Sequence, residues 1–169
     1  MKRLFFISLA VCLFMGCTAS KQVNNETVTS LDLNRYLGEW YEIARFDHSF
    51  ERGMEQTKAL YTLREDGKVS VTNTGIKNGE PKTANGKAKT TDNPALLRVS
   101  FWGPFYSDYR VMYIDADYQY VLVGSGSADY LWILSRTPQI TEDAKNILLT
   151  EATNRGYDIT QLIWVKQVE

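Results

Sequence analysis

A chain of 169 residues has the length of one domain and is long enough to bury a core. It is 44% hydrophobic and 12% aromatic, with ten tyrosines and four tryptophans, a load that favours β structure around a surface or cavity over a helical bundle. The formal net charge is −1 and no Lys/Arg stripe forms, which excludes nucleic acid as a partner.

The amino terminus reads as an address. Met1-Lys2-Arg3 is positively charged, and an apolar run from Leu4 to Met15 follows, too short to cross a bilayer as a mature helix but suited to a signal peptide. The run ends in Gly16-Cys17. A small residue followed by cysteine at this place resembles the bacterial lipobox, in which cleavage leaves the cysteine as the acylated first residue. Phe14 stands where that motif usually has leucine, with Leu13 one place earlier. The expected division is a signal peptide over 1–16, acylated Cys17 with a flexible polar tether through 30, and a folded domain over 31–169. Cys12 then leaves with the signal and Cys17 is modified, so no thiol remains for a disulfide or a metal site. Dual acylation gives stable anchoring, because each buried methylene contributes ~0.8 kcal/mol.

The folded part opens with Leu31-Asp32-Leu33 and Tyr36-Leu37, a short helical turn predicted to cap one end. Trp40-Tyr41-Glu42-Ile43-Ala44-Arg45-Phe46 mixes bulky and charged residues as a first strand does, and Gly38 so near the indole predicts a buried ring where backbone approaches closely. A loop from Asp47 to Gly53 carries Phe50 and the chain's one histidine, His48. Gln56 to Arg64 alternates, with Lys58, Thr62 and Arg64 opposite Thr57, Ala59, Tyr61 and Leu63. Asp66-Gly67 and Asn78-Gly79 are hairpin turns that bound a third strand, Lys68 to Ile76, and lead to a polar fourth, Ala84 to Thr91. After Asp92-Asn93-Pro94, Leu96 to Trp102 sets Leu97, Val99 and Phe101 opposite Arg98 and Ser100. Gly103-Pro104 ends it. Tyr109 to Asp115, Tyr118 to Gly124 and Tyr130 to Arg136 complete the series. Strands joined by short turns predict an up-and-down closed barrel, with a two-sheet sandwich as the rival. The period then changes. Pro138 stops the last strand, Thr141 caps a helix with Ala144, Ile147, Leu148 and Ala152 as its apolar stripe, and Gly156 ends it. Leu162 to Lys166 is a short final strand.

Three separated pieces, Gly38-x-Trp40, Asp117-Tyr118 and Arg136, resemble the signature of the lipocalin family. The runs Gly103-Pro104-Phe105-Tyr106 and Asp129 to Pro138 are similar to its bacterial outer-membrane lipoproteins, and the chain also resembles apolipoprotein D. The resemblance covers Leu31 to Val165 and departs at Ala116, where the family usually has threonine before Asp-Tyr, which puts one turn hydrogen bond in doubt. It implies an all-β fold: an eight-stranded up-and-down antiparallel barrel with one C-terminal α-helix and a short last strand. It further implies Arg136 lying across the Trp40 indole at a closed end, Val71 and Asn73 facing inward, and a fatty acid or lysophospholipid held in the lumen of a protein anchored in the outer membrane.

Candidate chemistry points the same way. Asp47, His48 and Ser49 are adjacent in a loop and point apart, so they do not form a hydrolase triad, and His48 is expected to be solvated. No His/Cys pair has metal-ligand spacing and no glycine-rich phosphate loop follows a strand. The expectation is a binding protein rather than an enzyme, without cofactor or metal, as a monomer or homodimer. Taking Arg136 as inward, period two turns Leu134, Trp132 and Tyr130 inward too, while the charges of Lys58, Arg64 and Arg98 leave Tyr61, Leu63, Leu97, Val99 and Phe101 inside. The candidate ligand-binding residues are Tyr61, Asn73, Val99, Phe101, Tyr130 and Trp132, a lining suited to an acyl chain. The alternative is that these aromatics simply fill the barrel, leaving a scaffold or partner-binding envelope lipoprotein.

Overall fold

The computed structural model describes residues 22–168; the signal peptide and Cys17 expected from the sequence lie outside them. Asp32 opens the short helix α1 (Leu33–Tyr36), its carboxylate accepting from the Asn34 and Arg35 amides. The barrel strands follow as β1 (Gly38–Arg45), β2 (Met54–Leu63), β3 (Val69–Lys77), β4 (Glu80–Lys89), β5 (Leu96–Trp102), β6 (Phe105–Ile114), β7 (Tyr120–Gly124) and β8 (Leu131–Ser135). Helix α2 (Glu142–Asn154) and a two-residue strand β9 (Ile163–Trp164) come last. Each strand from β1 to β7 pairs antiparallel with its successor, and β1 pairs with both β8 and β2. The ring is therefore closed, which rules out the sandwich and leaves no free edge within it.

Strand β1 does two jobs along its length. Its first half, Gly38 to Tyr41, pairs with β2. Ala44 and Arg45 pair instead with β9, and the Val165 and Gln56 amides donate to the Ile43 and Lys166 carbonyls. The Gln167 side-chain amide bonds both Glu42 O and Thr57 O, so the last strand, outside the eight-membered ring, stitches the seam where β1 and β2 part. A register shift between Glu42 and Ala44 marks a bulge in β1. A bulge reverses which side chains face in: beyond it Arg45 turns inward, while Ala44 and Phe46 pack outside beneath α2.

Two cores result. One fills the barrel interior around Trp40, Tyr61, Val71, Ala88, Leu97, Val111, Val123 and Leu134. The other lies between the barrel wall and α2, around Phe46, Met112, Leu122, Ile133, Leu148 and Tyr157. Thr141 caps α2 through the Ala144 amide, with Glu142 and Asp143 in the first turn where the helix dipole favours acid. Ala144, Leu148 and Ala152, spaced by four, are buried. Ile147, expected in that stripe, is exposed, because it sits one residue round the helix from the line those three make. Leu63, expected in the lumen, is at the rim of the closed end and exposed.

The stretch before Leu31 differs from the free tether expected. Asn24 N donates to Arg155 O, Val28 N to Val111 O, Asn25 to Ser125 O and Asn93 to the Thr27 hydroxyl. Asp32 N then reaches the Tyr118 hydroxyl. Residues 24–32 thus lie along the barrel wall, from the Ser125 side just past the end of β7 to the Tyr118 side just before its start.

Candidate functional site

The barrel interior is built in layers. At the closed end Arg136 donates to the carbonyls of Glu39, Arg35, Tyr36, Leu37 and Tyr118, and its guanidinium lies 3.8 Å from the Trp40 ring centroid. The indole N–H bonds Tyr36 O at 2.8 Å. Gly38 has φ +97°, a left-handed conformation that calls for glycine, and a Cβ there would stand 3.4 Å from Arg136 Nη1. In the β6–β7 turn Tyr118 takes φ 60° and stacks under Arg35 at 4.2 Å. Asp117 is exposed beside it, and the neighbouring Asp115 carboxylate accepts the Asp117, Gln119 and Tyr120 amides. That carboxylate ties the turn together although Ala116 has no hydroxyl.

Above this end lies a floor of phenols. Tyr36 reaches in from α1, its hydroxyl 2.5 Å from that of Tyr109, and the Tyr61 hydroxyl donates to Tyr109 at 2.9 Å. Burial pushes the phenol pKa values of Tyr36 and Tyr109 well up, so the floor is neutral. Tyr61 belongs to this packed floor rather than to an open lining. Tyr36 and Tyr109 carry no signal in the sequence beyond their chemistry, because which tyrosines meet depends on register.

A charged layer follows that the sequence did not announce. Glu42 pairs with Arg45 at 2.5 Å, and Arg45 also donates to the carbonyls of Glu51 and Met54. Glu51 Oε2 lies 2.8 Å from His48 Nε2 and accepts the Trp132 indole N–H at 3.1 Å. Burial, reinforced by the nearby Glu51 charge, lifts the Glu42 carboxyl to about 8 against the pull of Arg45. Burial also works to raise Glu51, but His48, Trp132 and Arg45 hold it below its ordinary value. Contrary to the expectation of a solvated loop residue, His48 is only 6% exposed. The loop folds back on itself through Glu51 and Arg52 amides on His48 O, carrying the imidazole into an aromatic slot with ring centroids 4.4 Å from Phe50, 5.3 Å from Trp132 and 5.7 Å from Tyr130.

The upper half is the mouth. Tyr130 and Trp132 stack at 5.8 Å and 16°, with Phe50 parallel to Tyr130 at 6.1 Å. Phe101 lies over Gly86, where a Cβ would come within 2.8 Å of its ring. Exposure changes sharply with height. Val71, Ala88 and Leu97 are fully buried, while Asn73, Gly86, Val99 and Trp132 are half-buried, and Ala84 and Phe101 are exposed. Ala84 and Asn73 are register partners, as are Ala88 and Val99, so these share the lumen face. The lumen is packed below and accessible above. Of the candidate lining, Asn73, Val99, Phe101, Tyr130 and Trp132 stand in this half-buried to exposed upper part, and Tyr61 in the packed floor. Among the described residues no cluster of His, Cys, Asp and Glu is arranged to hold a metal, and no helix is long and apolar enough to cross a membrane.

Comparison with known proteins agrees with this architecture. A family profile described as a lipocalin-like domain matches residues 31–167. The chain is 46% identical to the outer membrane lipoprotein Blc of Escherichia coli (strain K12), over 94% of this chain and 92% of that one. It is 32% identical to apolipoprotein D of Mus musculus, over 82% and 78% of the two chains. Among solved structures, the cockroach allergen Per a 4 superposes with a TM-score of 0.70 at 23% identity, covering 88% of this chain and 96% of the allergen.

Proposed function

Since this chain belongs to the lipocalin family, whose members are binding and carrier proteins rather than enzymes, we propose that it holds a fatty acid or lysophospholipid in the upper chamber. We further propose that the protein works at the outer membrane, tethered through acylated Cys17, a reading supported by Gly16-Cys17 after the apolar run and by the names of its bacterial relatives. One observation carries the ligand reading: inward-facing apolar side chains above the tyrosine floor stay accessible, whereas those below it are packed. A chamber walled by Val99, Phe101, Tyr130 and Trp132 takes an acyl chain, and the polar group stays near the mouth. The Asn73 side-chain oxygen, buried without a hydrogen-bond partner, is placed to accept from a ligand hydroxyl such as that of a lysophospholipid glycerol.

Calorimetry on delipidated protein titrated with palmitate or lysophosphatidylethanolamine tests the proposal. About ten buried methylenes at ~0.8 kcal/mol each support micromolar binding, roughly −8 kcal/mol. Trp132→Ala and Phe101→Ala each weaken it. Phe101 makes no hydrogen bond to the charged layer, so its variant separates loss of lining from loss of the Trp132–Glu51 contact. Absence of binding in the wild-type protein would leave the filled scaffold as the correct reading.

A further inference from the structure

Trp102 and Phe105 are 82% and 79% exposed. They flank the turn of the β5–β6 hairpin, Trp102-Gly103-Pro104-Phe105, which carries no charge and stands at the open end of the barrel. Phe50, in the loop over the same end, is exposed too. Neither hairpin ring packs into either core, and burying a large apolar side chain is worth about 1.5–3 kcal/mol, so the tip is suited to a contact that the barrel itself does not supply. Lys87 and Lys89 reach over the Tyr106 ring at 5.8 and 4.6 Å, on the wall just behind the tip. Lys87 is the register partner of Ser100, two residues from Trp102. Aromatic rings ahead and cations behind is the order of chemistries met on entering an anionic lipid surface from water, where tryptophan favours the interface and lysine the phosphates.

The course of the chain toward its amino terminus provides an independent argument. Residues 24–32 are bonded along the wall, and going backward they pass from the Tyr118 side, at the closed end, to Ser125. Gln22 lies beside Gly156, whose neighbours Arg155 and Tyr157 bond Met112 on β6. Residues 17–21 are all that separates Cys17 from Gln22, and extended chain spans at most ~3.3–3.6 Å per residue, so the anchor reaches roughly 17 Å. The β6 strand from Arg110, the register partner of Gly124, up to Phe105 is also five residues of strand, roughly 17 Å along its path. A bilayer holding the acyl chains of Cys17 therefore lies within reach of the hairpin tip.

We propose that the barrel stands mouth-down on the lipid surface, with Trp102 and Phe105 set into the interface as a second contact beside the Cys17 anchor. The proposal rests on the acylation of Cys17 put forward above. In this pose the chamber opens onto the membrane, and a lipid passes between bilayer and lumen without crossing water.

The test uses full-length mature protein, purified in detergent, weighed by mass spectrometry and reconstituted into vesicles of phosphatidylethanolamine and phosphatidylglycerol with brominated acyl chains. Bromine quenches tryptophan only at contact range. The wild-type protein is expected to lose emission relative to unbrominated vesicles, and Trp102→Phe, a change at an exposed position, is expected to abolish most of that loss. A lipidated protein whose quenching survives Trp102→Phe would overturn the docking and leave the anchor standing. A mass without the diacylglyceryl group on Cys17 would remove the anchor, and the reach argument with it. A dimer in detergent that Trp102→Ser dissociates would assign the tip to a second copy of the chain and also overturn the proposal.

Discussion

Arg136 joins five carbonyls to one ring, and the two halves of that contact are separable by mutation. Trp40→Ala removes a fully buried indole and is expected to cost ~3–5 kcal/mol. Arg136→Ala removes the donors to the carbonyls of Arg35, Tyr36, Leu37, Glu39 and Tyr118 and is expected to cost a few kcal/mol. Because the guanidinium lies 3.8 Å over the indole, the pair should couple by about 1–2 kcal/mol in a double-mutant cycle read by denaturant unfolding. Arg136→Lys keeps charge but not the planar fork, and is not expected to rescue. Additive losses would show that the stack contributes nothing. Glu42 offers a second measurement. Its folded carboxyl holds a proton up to about pH 8, against an ordinary value of 4.5, so the fold binds that proton more tightly than the unfolded chain. Its contribution is therefore fully present below about pH 4.5 and is lost as pH rises through about 8. Glu42→Gln should flatten the fall in melting temperature across this window, and an unchanged slope would assign it to other groups. Gly38 and Trp40 were legible as a glycine beside an indole, while the place of Arg136 across that indole came from the resemblance to the lipocalin signature. His48, Glu51 and Arg45 were not legible, since their burial depends on a loop folding back and on a bulge, neither of which leaves a pattern in single residues.

The elements were legible where alternation is strict, and less so where it breaks. Leu96 to Trp102 was read to the residue, since charged Arg98 fixes one face. The fourth strand starts at Glu80, before the expected Ala84, and the sixth at Phe105, before the expected Tyr109; glycine, proline and polar residues there read as turn although hairpin pairing extends through them. The bulge at Glu42 to Ala44 is the costliest omission, because a single extra residue exchanges inside for outside, turning Arg45 into the lumen and Phe46 under α2. For α2 the structure distinguishes two leucine-like neighbours that the helical stripe placed together. Leu148 is fully buried against the barrel and Ile147 is exposed. Leu148→Ala is expected to destabilise by ~2–5 kcal/mol and Ile147→Ala by less than about 1 kcal/mol, measured by thermal or denaturant unfolding. Comparable losses would mean that the helix is rotated from the face described.

At the scale of the molecule, closure of the ring joins residues far apart in sequence into horizontal layers: an arginine-capped base, a neutral phenol floor, a buried charged tier and an aromatic mouth. The ring and its late helix followed from strand count and the change of period, but the layering did not, because height along a barrel axis is set jointly by tilt and register across all strands. The floor formed by Tyr36, Tyr61 and Tyr109 has a consequence for chain length. It stops a guest partway down the lumen, and so acts as a ruler. Across a homologous series of saturated fatty acids, affinity should climb by about 0.8 kcal/mol for each added methylene until the terminal methyl meets the phenol rings. Beyond that length each further carbon has to stay outside, so the series should bend to a plateau at one carbon number, and calorimetry across the series would read the depth of the chamber directly in methylenes.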